Sequence, residues 1–237
     1  MLTYNTKKYI SKIGDLSIEF SEWTSKDQTN YLKLIESSEK LNKEITEKDI
    51  INTLLVPSVP ELKSTKLKLS SAQKKKLLID IRKISISEFI EDNVSCPSCG
   101  NKDDIKLKID DIISYKQASY EPISVDDITI TLKEKYIPNE LTSNKSVISF
   151  IYEDFINKIE YVTQTIDGEE TEIITPKNKT KDIKEFIDSI PSKMFNDIFE
   201  KYQSMVDEVV GDYIYQCPKC GHKETLDYSV IPDFLWV

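Results

Sequence analysis

Two short cysteine motifs, far apart in the chain, constrain the fold of this sequence more than any other feature. The segments Cys96–Lys102 and Cys217–Lys223 are identical at five of seven positions and share the pattern Cys-Pro-x-Cys-Gly. Two residues between paired thiolates allow a tight turn to present both sulfur atoms to one ion, and the following glycine can adopt a positive φ. Two such pairs complete a closed tetrahedral site. We therefore predict one structural zinc ion held by Cys96, Cys99, Cys217 and Cys220.

The separation of the motifs is the main difficulty for this prediction, because 117 residues lie between them. Zinc ribbons usually have about 15–20 residues there. Loop closure costs about 0.6 kcal/mol for each doubling of length, so roughly three extra doublings cost about 2 kcal/mol. Structural zinc binding contributes on the order of 10–16 kcal/mol, which favours a single shared site around an insertion that folds on its own. Two half-sites completed by a second subunit, a redox-active cysteine pair, and iron in place of zinc remain as alternatives.

Sequence patterns that would indicate catalysis are missing. His222 is the only histidine, and because four thiolates already complete the site, we interpret it as a bystander and not a ligand. The five glycines form no phosphate-binding pattern, and no nucleophile elbow or helical metal motif occurs. A closed four-thiolate site also has no open position for water or substrate. We therefore predict that the protein is not an enzyme, has no catalytic residues and takes no small-molecule substrate.

Composition and charge limit the possible partners. With 39% hydrophobic residues among 237, the chain can form a core, and no apolar stretch approaches the roughly 20 residues of a membrane helix. The segment Met1–Lys8 lacks the apolar block of a signal peptide, so we expect a cytoplasmic protein with reduced cysteines. The net charge of −9 disfavours nucleic acid as a partner. We interpret one basic stretch, Lys63–Lys83, as a solvated helix face in preference to a phosphate-binding patch.

The hydrophobic pattern predicts an α+β fold. In this fold a mostly helical N-terminal region and a helical insertion are joined by a discontinuous zinc ribbon with short antiparallel strands. We predict four segments: 1–93, mainly helical; 94–121, the first half of the ribbon; 122–212, a mixed and mainly helical insertion; and 213–237, the second half of the ribbon with an apolar tail.

Capping residues predict where the N-terminal helices begin. Thr24, Thr46 and Ser70 are each followed three residues later by Asp or Gln, which is a helix-start pattern. Pro57 and Pro60 are expected to stop the second of these helices.

Changes of period and turn residues predict the elements that follow. The period of two in Ile84–Ser87 predicts a strand that leads towards the first cysteine motif. The dipeptide Asp167-Gly168 predicts a tight hairpin turn. A long helix is predicted to be capped by Ser192 and to end at Gly211.

The order of these features resembles that of a known protein family. The stretches that carry the resemblance are Leu69–Arg82, the first cysteine motif with the alternating strand after it, Phe186–Phe195, the second cysteine motif, and Phe234–Trp236. Together they look like the baseplate hub subunits, or hub assembly proteins, of contractile-tailed phages related to the T-even group. The resemblance covers most of the chain. It implies a non-enzymatic protein that helps to build the central hub, as a subunit or as an assembly factor that need not stay in the virion.

Two classes of function are then open. The resemblance implies contacts with other phage baseplate and tail proteins, in the host cytoplasm during assembly or in the baseplate of the virion. The alternative is a zinc-ribbon transcription or nucleic-acid-binding protein, which needs a basic ribbon surface. Acidic residues surround the motifs instead: Asp103, Asp104, Asp110, Asp111, Glu224 and Asp227.

The last four residues, Phe234–Val237, are all apolar, whereas chain ends are normally polar and frayed. We predict that this tail docks on another tail protein through its apolar surface. In the alternative, the tail folds back over the small sheets of the ribbon.

Overall fold

The computed structural model describes residues 7–63, 67–133 and 147–229, and the architecture of this part of the chain is α+β, as predicted. The helices are α1 Ser25–Leu41, α2 Glu47–Ile50, α3 Val56–Ser58, α4 Pro60–Lys63, α5 Ser71–Ser85, α6 Ile109–Ile112, α7 Val147–Lys158, α8 Thr180–Ser189 and α9 Ser192–Met205, with a π-helical turn at Ile51–Leu55. The strands are β1 Lys8–Ile13, β2 Leu16–Ser21, β3 Phe89–Ser95, β4 Lys102–Lys108, β5 Ser114–Lys116, β6 Ile123–Val125, β7 Ile128–Leu132, β8 Ile159–Ile166, β9 Glu169–Ile174, β10 Glu208–Val210, β11 Asp212–Gln216 and β12 Lys223–Asp227. Their sheets are small and antiparallel. Among these helices, none combines the length and the apolar character needed to span a membrane.

The chain separates into two units. Unit 1 consists of Met1–Gln117 and Glu208–Val237, and unit 2 consists of Ala118–Asp207. Unit 2 therefore interrupts unit 1 in sequence. The four segments predicted from the sequence, with their finer boundaries, remain a prediction.

The helices of unit 1 begin at the predicted caps. The Thr24 side chain accepts a hydrogen bond from the Asp27 N–H, and the Asp27 carboxylate accepts one from the Thr24 N–H. The same reciprocal arrangement occurs at Thr46 and Ser70. It satisfies N–H groups that have no partner within a helix. From the third of these helices, α5, the apolar side chains that are buried in the core are Ala72, Leu77, Leu78, Ile79 and Ile81.

The predicted strand that leads towards the first cysteine motif is present as β3, but its predicted start at Ile84 is wrong, because α5 extends to Ser85 and β3 begins only at Phe89. Arg82 explains the difference. Its side chain is fully buried, and its guanidinium donates hydrogen bonds to the backbone oxygens of Ser87 and Phe89. These bonds hold the chain in a turn after the helix. Ile84, near the end of α5, is 44% exposed.

Pro57 does not end the second helix, which corrects another prediction. After α2 the chain forms the π-helical turn and continues as α3, where Pro57 lies in the first turn. The fixed φ of proline, about −65°, is compatible with a helix, so Pro57 removes one backbone hydrogen bond without ending the run. Pro60 does stop this run. Val59 leaves the helical region, with φ −124° and ψ 87°, because a residue before proline is disfavoured in the α conformation.

Unit 2 is a four-stranded antiparallel sheet in the order β6-β7-β8-β9, whose apolar face packs against helices α7, α8 and α9. The predicted hairpin between β8 and β9 is confirmed. Asp167 and Gly168 connect the strands with φ of 53° and 81°, as in a type I′ turn. The shared core of sheet and helices contains Ile123, Val125, Ile128, Ile130, Leu132, Phe155, Ile156, Ile159, Val162, Ile174, Ile183, Ile187, Ile198 and Tyr202.

The last long helix is shorter than predicted. Ser192 is its first residue, Pro191 is at the N-cap without a side-chain cap, and the helix ends at Met205. Gly211 therefore does not terminate it. Gly211 lies between β10 and β11, where a Cβ atom would be only 2.6 Å from the backbone nitrogen of Ser229. Glycine is needed at this position because two backbone segments approach closely.

Candidate metal centre

Two hairpins of unit 1 carry the cysteine motifs at their tips. β3 pairs with β4, and β11 pairs with β12. The two turns are alike: the Cys96 N–H donates to the Asn101 oxygen at 2.8 Å, and the Cys217 N–H donates to the His222 oxygen at 2.8 Å. The glycine after the second cysteine has φ 68° in one turn and 73° in the other, which glycine adopts without steric strain. The sequence repeat is therefore a repeat of local structure.

The hairpin tips bring all four thiols together. The Cys96 and Cys220 sulfur atoms are 3.6 Å apart, and the Cys99 and Cys217 sulfur atoms are 3.7 Å apart. All four sulfur atoms lie within 4.8 Å of one another. Zinc–sulfur bonds of about 2.3 Å in a tetrahedron imply sulfur–sulfur distances of about 3.8 Å. The cluster therefore fits a four-coordinate metal ion, and its sulfur atoms are too far apart for disulfide bonds of about 2 Å.

The cluster is buried on one side and open on the other. Cys96 and Cys217 are 2% and 1% exposed, whereas Cys99 is half-buried and Cys220 is exposed. The buried pair packs with Val94 and Tyr215 in a small apolar cluster. Further apolar side chains that pack against it are Ile105, Tyr213 and Leu226. Both hairpins contribute to this core, so the thiols and the packing around them join the same two segments.

The thiols differ in acidity. Burial raises the pKa of Cys217, but the backbone N–H groups of Cys220 and Lys219 and the neighbouring thiols outweigh burial and lower the pKa to about 6. The Asn101 backbone lowers the pKa of Cys99, but neighbouring thiols and burial outweigh it and raise the pKa to about 12. A bound cation would favour ionisation of the remaining thiols, because metal ligation requires thiolates.

Tyr215 belongs to this site, although the sequence was interpreted there only as a strand. The Tyr215 hydroxyl is buried beside the Cys217 thiol. Burial, followed by the influence of the Cys217 thiol, raises the pKa of Tyr215 to about 12. A protonated hydroxyl beside thiolates is a potential hydrogen-bond donor to sulfur. The signal in the sequence is the period of two, which places Tyr215 on the same strand face as Cys217.

A second connection links the two hairpin segments below the cysteines. The Tyr228 hydroxyl donates to a carboxylate oxygen of Asp92 at 2.8 Å, and the Tyr228 ring is buried in the core of unit 1. The Tyr228 N–H donates to the Gly211 oxygen. Because Asp92 precedes unit 2 in sequence and Tyr228 follows it, this hydrogen bond also connects the two parts of unit 1.

Two of the acidic residues around the motifs, and two lysines of the basic stretch, have partners. Asp104 accepts a hydrogen bond from the Asn93 amide at 2.6 Å, and Asp110 forms an ion pair with Lys83. Lys76 of the basic stretch pairs with Asp80 at 2.6 Å. Carboxylates thus neutralise part of this stretch. His222 contributes a backbone oxygen to its turn, and among the described residues its ring is not part of the metal-ligand cluster.

The fold and the cluster define a class: an α+β protein whose N-terminal and C-terminal segments meet at four cysteines, with a separate unit inserted between them. A model of the family described as "T4 bacteriophage base plate protein" matches residues 1–236. The chain belongs to this family of phage base plate proteins, and the resemblance seen in the sequence is confirmed at the level of the family. Comparison with curated proteins and with solved structures gave no match. Membership of this family places the chain among structural proteins of the phage tail, which contact other tail proteins.

Proposed function

We propose that this chain is a non-enzymatic structural or assembly protein of the central hub of the phage baseplate. The observation that carries the proposal is the family match, because it covers nearly the whole chain. The assignment to the hub, as the particular part of the baseplate, is supported by the sequence stretches that resemble hub subunits and hub assembly proteins. Among them are Leu69–Arg82 and Phe186–Phe195.

The proposal assigns the cysteine cluster a structural role. Cys96, Cys99, Cys217 and Cys220 would hold one zinc ion, and the sulfur–sulfur distances of 3.6 and 3.7 Å support this ligand set. Zinc has no redox chemistry, and four thiolates leave it no open position, so the ion would supply folding energy and not catalysis. Its role would be to fasten Cys99 to Cys217, which are 118 positions apart, across the insertion.

The proposed partners are other baseplate and tail proteins, bound in the host cytoplasm during assembly or in the virion. Nucleic acid is a poor candidate, because the chain has a net charge of −9 and Lys76 and Lys83 of its basic stretch pair with carboxylates. No membrane or small-molecule partner is proposed. The tail Phe234–Val237 lies outside the described residues, so its docking on a tail protein remains a prediction.

Interruption of this gene in the phage that carries it tests the function. We expect electron micrographs of infected cells to show tails without complete baseplates, and the wild-type gene on a plasmid to restore them. Mass spectrometry of purified virions then distinguishes a hub subunit from an assembly factor that leaves the particle. Normal baseplates in the absence of the gene product would contradict the proposal.

A further inference from the structure

Within the described residues, the sheet of unit 2 has one accessible edge, strand β9. At the opposite edge, β6 has only three residues, and the backbone oxygen of Ser124 already accepts a hydrogen bond from the Lys201 side chain of α9 at 2.6 Å. At β9, in contrast, four consecutive residues from Glu169 to Glu172 are exposed. Within the described residues, no strand pairs with the outer side of β9. Such an edge is a template for strand addition.

The hydrogen-bond register shows which residues offer their backbone to a new strand. Thr165 of β8 lies opposite Glu170, and the Thr165 N–H points away from β9, because it donates to the Asp127 oxygen at 2.8 Å. In an antiparallel pair, two opposite residues either exchange both hydrogen bonds or direct all their backbone groups outwards. Glu170 therefore directs its N–H and C=O to the open edge. Glu172, two positions further, pairs with Thr163 in the same register and has the same orientation, because the irregularity in the pairing lies beyond it, between Val162 and Thr163.

The side chains of the same two residues make this edge strongly acidic. From residue 159 to 174, β8, β9 and the turn between them carry five acidic and no basic residues. Among the described residues, no cation pairs with Glu169, Glu170 or Glu172, whereas the other long hairpins have cross-strand ion pairs such as Lys8–Glu19 and Lys106–Glu91. The net charge of unit 2 adds to the negative potential at this edge. Its 18 acidic and 10 basic residues give −8, almost the whole net charge of the chain.

We propose that β9 binds an extended segment of a partner protein that carries Lys or Arg at alternate positions and adds a fifth strand to this sheet. Backbone hydrogen bonds would form at Glu170 and Glu172, and the basic side chains of the added strand would lie opposite their carboxylates on the same sheet face. A second copy of β9 is excluded as the occupant, because its glutamates would face like charges. This inference deepens the proposed function, on which it rests, by defining the chemistry of one partner in the phage tail.

A synthetic probe tests the edge directly. The probe is a ten-residue peptide that alternates lysine and threonine, added to the full-length protein at low ionic strength. With saturating peptide, we expect hydrogen exchange at the amides of Glu170 and Glu172 to slow by at least about tenfold. A peptide in which glutamate replaces lysine should have no effect. Unchanged exchange at both amides with the lysine peptide would overturn the proposal.

Two sets of variants distinguish strand addition from simple charge attraction. The double variant Glu170→Lys/Glu172→Lys should weaken peptide binding at least about tenfold, and the control Asp197→Lys/Glu200→Lys on the exposed face of α9 should change it less than about twofold. Glu172→Pro removes an outward N–H without removing a bond to β8, and Glu172→Gln removes only the charge. Strand addition predicts that the proline variant binds several-fold more weakly than the glutamine variant. If the Glu172→Pro and Glu172→Gln variants bind the lysine peptide equally and both keep the wild-type melting temperature, strand addition is overturned.

Complementation separates this inference from the proposed function. If the wild-type gene restores baseplates to the interrupted phage and the Glu170→Lys/Glu172→Lys gene does not, although its product folds, the edge is used in assembly. If both genes restore them equally, the use of this edge in assembly is wrong and the baseplate function stands. If the phage builds baseplates without either gene, the proposed function itself is wrong, and with it the tail partner assigned to β9.

Discussion

Replacing each of the four cysteines by serine separates metal binding from packing as the source of stability in unit 1. Structural zinc contributes on the order of 10–16 kcal/mol, so an equal share for each of four thiolates is about 3 kcal/mol. In a chain of this size, 1 kcal/mol changes the melting temperature by about 2–4 °C. Each variant is therefore expected to melt about 6–12 °C below the wild type.

The burial of the cysteines provides the discriminating comparison. Cys217 is 1% exposed, whereas Cys220 is on the surface. If packing alone stabilised this region, Cys220→Ser would change the unfolding free energy by less than about 0.5 kcal/mol, as surface substitutions usually do. If the four thiolates share one ion, replacing the exposed cysteine and replacing the buried one should lower the free energy of unfolding by similar amounts.

Calorimetry with and without a zinc chelator measures the melting temperature of each variant and how far that temperature depends on the bound metal. Chelation should lower the melting temperatures of the wild type and of each serine variant to a similar value, and the fall should be smaller for the variants, because they have already lost one of the four thiolates. Lys219→Ser, an exposed substitution in the same motif, is the matched control and should behave as the wild type. A Cys220→Ser variant with the wild-type melting temperature and the wild-type response to chelator would refute the reasoning.

Two further substitutions and one deletion test separate features. Lys158→Met leaves the buried carboxylate of Asp154, its partner at 3.2 Å, without a counter-ion. Urea denaturation should show that the free energy of unfolding falls by about 3–5 kcal/mol. A fall below about 1 kcal/mol would argue against a buried ion pair. Gly211→Ala should cost about 1–3 kcal/mol in the same assay, because its Cβ would be 2.6 Å from the Ser229 nitrogen; unchanged stability would mean that this backbone shifts freely. Deleting residues 234–237 should weaken binding to a tail partner at least about tenfold, roughly 1.4 kcal/mol, at constant melting temperature; lower stability with unchanged affinity would rule out docking by the tail.

Local signals in the sequence predicted local structure well. The caps at Thr24, Thr46 and Ser70 are confirmed, because a capping box depends on residues only three positions apart. The turn at Asp167-Gly168 is confirmed for the same reason. The convergence of the cysteines could also be predicted, although they are far apart, because matched pairs of thiolates have few chemical roles besides sharing an ion.

Long-range interactions account for the predictions that were wrong. The period of two after Ile84 indicated a strand, but Arg82 binds backbone oxygens beyond the helix and delays β3. The apolar stripe of α9 was extended to Gly211, but Val209 lies in β10, where it pairs with Tyr115 of β5. Neither the buried guanidinium nor this distant strand partner has a signature within a short sequence window. Tyr215 was missed as part of the metal site because its position becomes evident only when both hairpins are in place.

Metal content per chain tests the central claim of this account most directly. The protein would be purified without added metal, its oligomeric state determined by native mass spectrometry, and its metals measured by inductively coupled plasma mass spectrometry. One zinc ion per chain is the predicted result, and a chelator should remove it more readily from the Cys96→Ser and Cys220→Ser variants than from the wild type, because each hairpin supplies two of the four thiolates. A value near one half or two ions per chain, or iron as the bound metal, would contradict it.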